Sequence, residues 1–135
     1  MTEEEMRNII RKEYFIKMWN NDGYLCVILR HPSSLHLCGY VGLKKQHELY
    51  EKHYDSINIV CHGGLTFASK MNWYEIEDLW FIGFDCAHHG DITPSYMYPG
   101  EIHAIYRNME YVTNEVNSIV EQLKTSKNLI KREDN

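Results

Sequence analysis

The sequence predicts an α+β fold, a small and mainly antiparallel sheet flanked by an N-terminal helix and a long C-terminal helix. Three observations carry this. Apolar residues recur at helical spacing near both ends, β-branched and aromatic runs fill the middle, and the links between those runs are too short for parallel crossovers. At 135 residues the chain suffices for one core and is too short for two ordinary domains. Residues 1–135 therefore read as a single domain with its core over about 24–123.

Thr2 followed by Glu5 is a capping-box pattern, and Met6, Ile9, Ile10 and Ile16 follow at roughly helical spacing, so a helix is expected over 3–19. Asn20-Asn21-Asp22-Gly23 stops it. Tyr24 to Arg30 and Leu35 to Leu43 read as two strands joined at His31-Pro32-Ser33-Ser34, with Gly39 and Gly42 marking a bulge or a close backbone approach. Residues 45–55 suit a short helix, Ile57 to Cys61 a third strand and Leu65 to Ser69 a fourth. Asp78 to Asp85 is the strongest strand and is expected at the centre of the sheet. Residues 86–101 read as a long loop, of a kind often functional in compact domains. Met109, Val112, Val116, Ile119 and Leu123 recur at intervals of three and four and predict the C-terminal helix, with a frayed tail after about Lys127.

Composition narrows the function classes. Apolar residues make up 44 % and aromatic residues 13 % of the chain, including ten tyrosines and three tryptophans, a folding composition with flat rings to spare. The formal charge is −5, and the basic residues cluster only at Lys44, Lys45, His47, Lys52 and His53. Duplex nucleic acid is thereby disfavoured as a partner, while a small anionic ligand is not. No apolar run of membrane length and no signal-peptide pattern occur, so no membrane partner is expected. Cys26, Cys38, Cys61 and Cys86 are unevenly spaced without C-x-x-C, the pattern of free, buried thiols in a cytoplasmic protein.

Two segments concentrate chemistry. In Cys61-His62-Gly63-Gly64-Leu65-Thr66 a glycine pair at a strand end permits positive φ and lets amides face an anion, with His62 and Thr66 beside it. A plain tight turn with a surface histidine explains the same residues. In Phe84-Asp85-Cys86-Ala87-His88-His89-Gly90-Asp91, Asp85 can orient an imidazole, His88 can act as acid or base, and Asp91 can accept from ribose hydroxyls or bind a metal. The plainer alternative is an Asp-capped turn. Cys61, His62, Cys86, His88 and Asp91 include zinc-type ligands but match no zinc spacing, so no cofactor is expected, a divalent metal being the alternative. A Cys86–His88 nucleophile pair is disfavoured against a buried thiol. Tyr40, Phe67, Trp73, Tyr74, Trp80, Phe81 and Phe84 lie near these segments, and Tyr96 and Tyr98 are lid candidates. In the strand over 78–85, alternation puts Trp80, Ile82 and Phe84 on one face and Leu79, Phe81, Gly83 and Asp85 on the other.

The runs His36-Leu37-Cys38-Gly39-Tyr40-Val41-Gly42, His62-Gly63-Gly64-Leu65-Thr66-Phe67 and Trp80 through Asp91 resemble a family of small phage and prophage accessory proteins carrying H-G-G-L-T and G-F-D-C-A-H-x-G-D motifs. The resemblance spans roughly residues 24–123. It implies a phage protein acting in the cytoplasm of an infected bacterium against a nucleotide-based defence signal, and it carries no catalytic residues with it.

Three functions follow as expectations. The first is cleavage of a cyclic nucleotide signal by a phosphodiesterase, with His62 and His88 as acid and base and Asp85 orienting one of them. Gly63, Gly64, Thr66, Asp91, Tyr40 and His36 would then bind the ligand. The second is a sponge that sequesters a cyclic nucleotide or ADP-ribose-type signal on the same residues. The third is a protein that inhibits a host defence enzyme by covering its surface. Paired histidines favour catalysis, since a phosphate binder more naturally uses arginine, for which Arg30 and Arg107 are the candidates. A homo-oligomer is expected to deepen the pocket of so small a domain.

Overall fold

The computed structural model describes residues 2–71, 78–96 and 104–132. Helix α1 (Glu3–Lys12) begins with the capping box that the sequence announces. Thr2 Oγ1 accepts from the Glu5 N–H and the Glu5 carboxylate accepts from the Thr2 N–H, each at 3.1 Å. Two amides that the first turn leaves without intrahelical partners are thus satisfied.

The helix stops short of the expected Trp19. The backbone is extended at Glu13, and Ile16–Asn21 forms strand β1, with residues alternating between exposed and half-buried. The expected helix over 3–19 is corrected to a shorter helix and a strand. Tyr14, Phe15, Ile16 and Trp19 favour extended backbone. Period two also brings Trp19 Nε1 and Asn21 Nδ2 to the same acceptor, Asn117 Oδ1, at 3.0 and 2.9 Å. Asp22 and Gly23, with φ of 52° and 90°, then close a two-residue hairpin into β2 (Tyr24–Arg30), Asn21 facing Tyr24. Two consecutive positive φ values make this a type I′ turn, so the segment read as a helix stop is a hairpin turn.

With β3 (Leu37–Leu43), β4 (Phe67–Lys70) and β5 (Trp80–Asp85) the sheet runs β1-β2-β3-β5-β4, every neighbouring pair antiparallel. The C-terminal helix α2 (Met109–Thr125) completes the predicted α+β class. The strand expected at the centre, β5, is interior, while β3 holds the middle. Residues 45–55 hold turns and the start of a 3-10 turn at Tyr54–Ser56.

Of the expected strand Ile57–Cys61, Ile57 is extended and lies in an isolated bridge, and the segment belongs to no sheet strand. Its backbone bonds go elsewhere: Asn58 N donates to Leu129 O at 2.7 Å, and Val60 exchanges bonds with the Gln122 side chain at 2.8 and 2.7 Å. Ile57 and Ile59 are buried and Val60 is exposed, which is the period-two pattern that imitates a strand in sequence. The same contacts hold the tail expected to fray: Leu129 is buried, Ile57 and Ile130 form a bridge, and Lys131 N donates to Ser56 O.

One sheet face packs under α2. Val112, Val116, Ile119, Val120 and Leu123 lie against Cys26, Ile28, Val41, Ile82 and Phe84 in one buried cluster. Gly39 has the reason its sequence position suggests, since a Cβ there would meet Val116 Cγ2 at 2.6 Å and Phe84 Cε1 at 2.8 Å. Strand pairing puts Val27, Tyr40, Gly83 and Phe67 in one row across the sheet, out of step with the helix-facing row Cys26, Val41, Ile82 and Ala68. That alternation is the one predicted for Trp80 to Asp85. A smaller cluster of Met6, Ile92 and Tyr106 seats α1. Trp73, Tyr74, Tyr98 and the last part of the expected loop over 86–101 lie outside the described residues, as does the side chain of Tyr96.

Candidate functional site

The C-terminal end of β5 and the turn after Cys61 meet, and they bring the two sequence segments together. His62 lies 5.8 Å from His88 between ring centroids. Its Nε2 is 2.7 Å from Asp91 Oδ2 and its Nδ1 is 2.8 Å from Tyr111 Oη on α2. A carboxylate only accepts, so Nε2 carries the proton and Nδ1 faces the tyrosine hydroxyl. Both nitrogens are occupied and the side chain is 12 % exposed, so His62 is sealed into the structure.

Asp91 is the hub of this network. Besides His62, it accepts from Arg107 Nε at 3.0 Å and from the His88 backbone N–H at 3.0 Å, with its side chain 1 % exposed. Burial alone would raise its carboxyl, but the bonds from His62, the His88 amide and Arg107 outweigh that and hold it below the usual carboxylate value. Arg107 also stacks over the Tyr111 ring at 4.8 Å. Arg30, the other clamp candidate, is buried on Glu13 instead.

His88 sits differently. Its side chain is 30 % exposed, and Nε2 lies 3.4 Å from Asp85 Oδ1 without a hydrogen-bond partner of good geometry among the described residues. Asp85 is itself held, accepting from Thr66 Oγ1 at 3.1 Å and from the Ala87 N–H at 3.0 Å. The predicted group of His62, His88, Asp85, Thr66 and Asp91 is therefore spatially continuous.

Gly63 explains part of the packing. Its φ is +67°, and a Cβ built there would overlap the His88 ring. Gly64, with φ +80°, has open space around it and is needed for its conformation alone. Gly63→Ala is expected to lose about 1–2 kcal/mol from left-handed backbone strain and to drive His88 off Asp85. Wild-type thermal stability together with an unmoved His88 ring signal in NMR would contradict this.

The other predicted ligand residues lie on the sheet face away from α2. A cleft of about 390 Å³ is lined there by His31, His36, Tyr40, Thr66, Phe67 and Asp85, among others. Tyr40 and Phe67 meet edge to face at 5.2 Å, and His31 and His36 stack at 5.1 Å. Sequence reading missed Tyr111, Ser34 and His31. The close spacing of His31, Ser34 and His36 around one turn was a usable signal, whereas Tyr111 had none, being one of several polar-tipped positions on α2.

The thiols are free; Cys86 is buried and Cys61 half-buried, and loss of solvent is the chief cause suppressing the acidity of both, Cys61 being pushed up to about 12. Neither suits a nucleophile. Among the described residues no three His, Cys, Asp or Glu side chains are grouped to hold a metal ion, the zinc-type ligands of the two segments included. No helix among them is long and apolar enough to cross a membrane. No protein-family model, curated protein or solved structure matches the chain.

Proposed function

We propose that this protein cleaves a phosphodiester bond in a small nucleotide, a cyclic signal of bacterial defence, by imidazole acid–base chemistry at His88. The observation that carries this is the Asp85–His88 pair. The buried Nε2 of a partly exposed imidazole lies 3.4 Å from an anchored carboxylate that lines a cleft with an aromatic corner. The carboxylate steadies the ring and compensates its charge when protonated. Thr66 and the Ala87 amide keep that carboxylate from turning away. The Gly64 N–H is spent on Cys61 O at 2.9 Å, so the donor this turn would offer a phosphate oxygen is the Gly63 N–H.

His62 takes a supporting part. Both its nitrogens are engaged, and it steadies Asp91, which in turn holds the His88 backbone amide. It positions the turn from 88 to 91 and does not itself meet the substrate. Tyr40 and Phe67 offer a stacking wall for a base, and the resemblance to phage accessory proteins supports an immune signal as the nucleotide.

Incubation with a panel of cyclic dinucleotides and ADP-ribose derivatives, with and without EDTA, tests this reading. A linear or shorter product should form in catalytic excess, and His88→Ala should slow it by roughly 10²–10⁴-fold without changing the far-UV spectrum. Ligand that vanishes from solution and returns intact on heat denaturation would instead make the protein a sponge. The protein-inhibitor alternative and the expected homo-oligomer have their own footing at the sheet edge. Among the described residues no strand pairs with the outer side of β1, and Tyr14, Phe15, Ile16 and Met18 are exposed on or next to it.

A further inference from the structure

We infer that His36 is the second proton-transfer group of this site, a neutral base whose free nitrogen serves the cleft beside Asp85. The inference rests on the phosphodiesterase reading and assigns the partner that His62, with both nitrogens occupied, leaves open.

A chain of hydrogen bonds sets the tautomer. His31 Nδ1 lies 3.3 Å from the Ser33 N–H and 3.2 Å from the Ser34 N–H. Backbone amides only donate, so that nitrogen carries no proton. Ser34 Oγ, 2.8 Å from the same nitrogen, must therefore donate its single proton to it. The same oxygen lies 2.9 Å from His36 Nδ1 and has no second proton to give. His36 Nδ1 must be the donor, which leaves Nε2 as the bare lone pair when the ring is neutral.

The surroundings keep it neutral. His36 is 8 % exposed and is stacked on His31. Burial is the largest influence depressing its basicity, and His31 and His88 act in the same direction. Asp85 and Asp91 oppose them, and the balance lies below the ordinary histidine value. A neutral imidazole with its Nδ1–H tied down and Nε2 available is the arrangement a general base needs.

In the step this permits, Nε2 of His36 takes the proton of a water or a ribose 2′-hydroxyl as its oxygen forms a bond to phosphorus. The P–O bond to the leaving oxygen breaks, and that oxygen takes the Nδ1 proton of the His88 imidazolium, Nε2 being buried against Asp85. His36 ends protonated and His88 neutral, and exchange with solvent restores both.

Two measurements test the assignment. Imidazole ¹⁵N shifts of the whole protein should show His36 protonated on Nδ1 and bare on Nε2, titrating below the ordinary histidine range. A protonated Nε2 with a bare Nδ1 would overturn it regardless of activity. On the nucleotide that the wild type cleaves, the rate should rise with pH on an acid limb belonging to His36. His36→Gln should lose about 10²-fold in kcat together with the acid limb. Ser34→Ala, which keeps the imidazole but frees its tautomer, should reduce kcat by roughly tenfold with KM unchanged. An acid limb that survives in His36→Gln would overturn the assignment while leaving the phosphodiesterase intact. A wild type that cleaves no phosphodiester while showing the Nδ1–H tautomer would overturn the parent reading, and the catalytic role of His36 with it.

Discussion

Asp91→Ala should destabilise the protein by roughly 3–5 kcal/mol, the range for breaking a buried ion pair from one side. The carboxylate is buried and accepts from Arg107, His62 and the His88 amide at once. Removing it leaves a guanidinium, an imidazole N–H and a backbone N–H without their acceptor, and the desolvation penalty of each is no longer offset. Denaturant unfolding should read the loss, with Asp91→Asn intermediate because the amide oxygen still accepts. A change below about 1 kcal/mol would mean that water replaces the carboxylate and that the network is not structural. The same group sets an acid limit. Its folded value is depressed, so its contribution is complete above the unfolded carboxyl value, near 3.9, and is lost as pH falls through the lower folded value. The wild type should therefore lose stability below about pH 4 more steeply than Asp91→Asn does.

The second large effect is expected at Glu13, which makes none of the candidate site's own contacts. Glu13 Oε1 accepts from Arg30 Nη2 at 3.0 Å and from Tyr106 Oη at 2.6 Å, and Oε2 accepts from the Met109 N–H at 2.6 Å. One carboxylate thus ties the end of α1 to the end of β2 and to the first turn of α2, where a negative charge also suits the helix dipole. The Arg30 side chain is 0 % exposed, and its Nη1 adds bonds to Leu35 O and Tyr106 Oη. Glu13→Ala leaves that buried charge without its counterion, for a loss of roughly 3–5 kcal/mol and a fall in Tm of about 10–20 °C. Arg30→Met, which removes the charge and keeps much of the volume, should cost less when combined with Glu13→Ala than the alanine change costs alone. Additive losses in that double variant would show that the pair does not act as a unit.

The two networks separate what the linear chain discloses from what it conceals. The capping box at Thr2, the strands from Tyr24 and Leu37, strand β5 and the apolar stripe of α2 were legible, because each obeys a local periodicity that burial on one face imposes. Two elements misled for an equally local reason. Ile16 fits a helical spacing that its aromatic and β-branched neighbours contradict, and Ile57–Cys61 has the alternation of a strand but, among the described residues, only an isolated bridge from Ile57 to Ile130.

The candidate site was legible by composition but not by role. That His62, Asp85, His88 and Asp91 belong together could be read from two dense motifs, since residues at the ends of adjacent segments converge when the intervening chain is short. Which histidine is sealed and which is open could not. Tyr111, Arg107 and Ser34 decide it, and the first two reach the site from a helix and its leading segment more than fifteen residues beyond the motifs. The sequence alone determined the fold class, most of the sheet and the place where chemistry is concentrated, because local patterning and turn residues govern those. Only the tertiary structure decided the hydrogen-bond partners, and with them the proton positions on each imidazole, because such partners depend on distances between residues far apart in the chain.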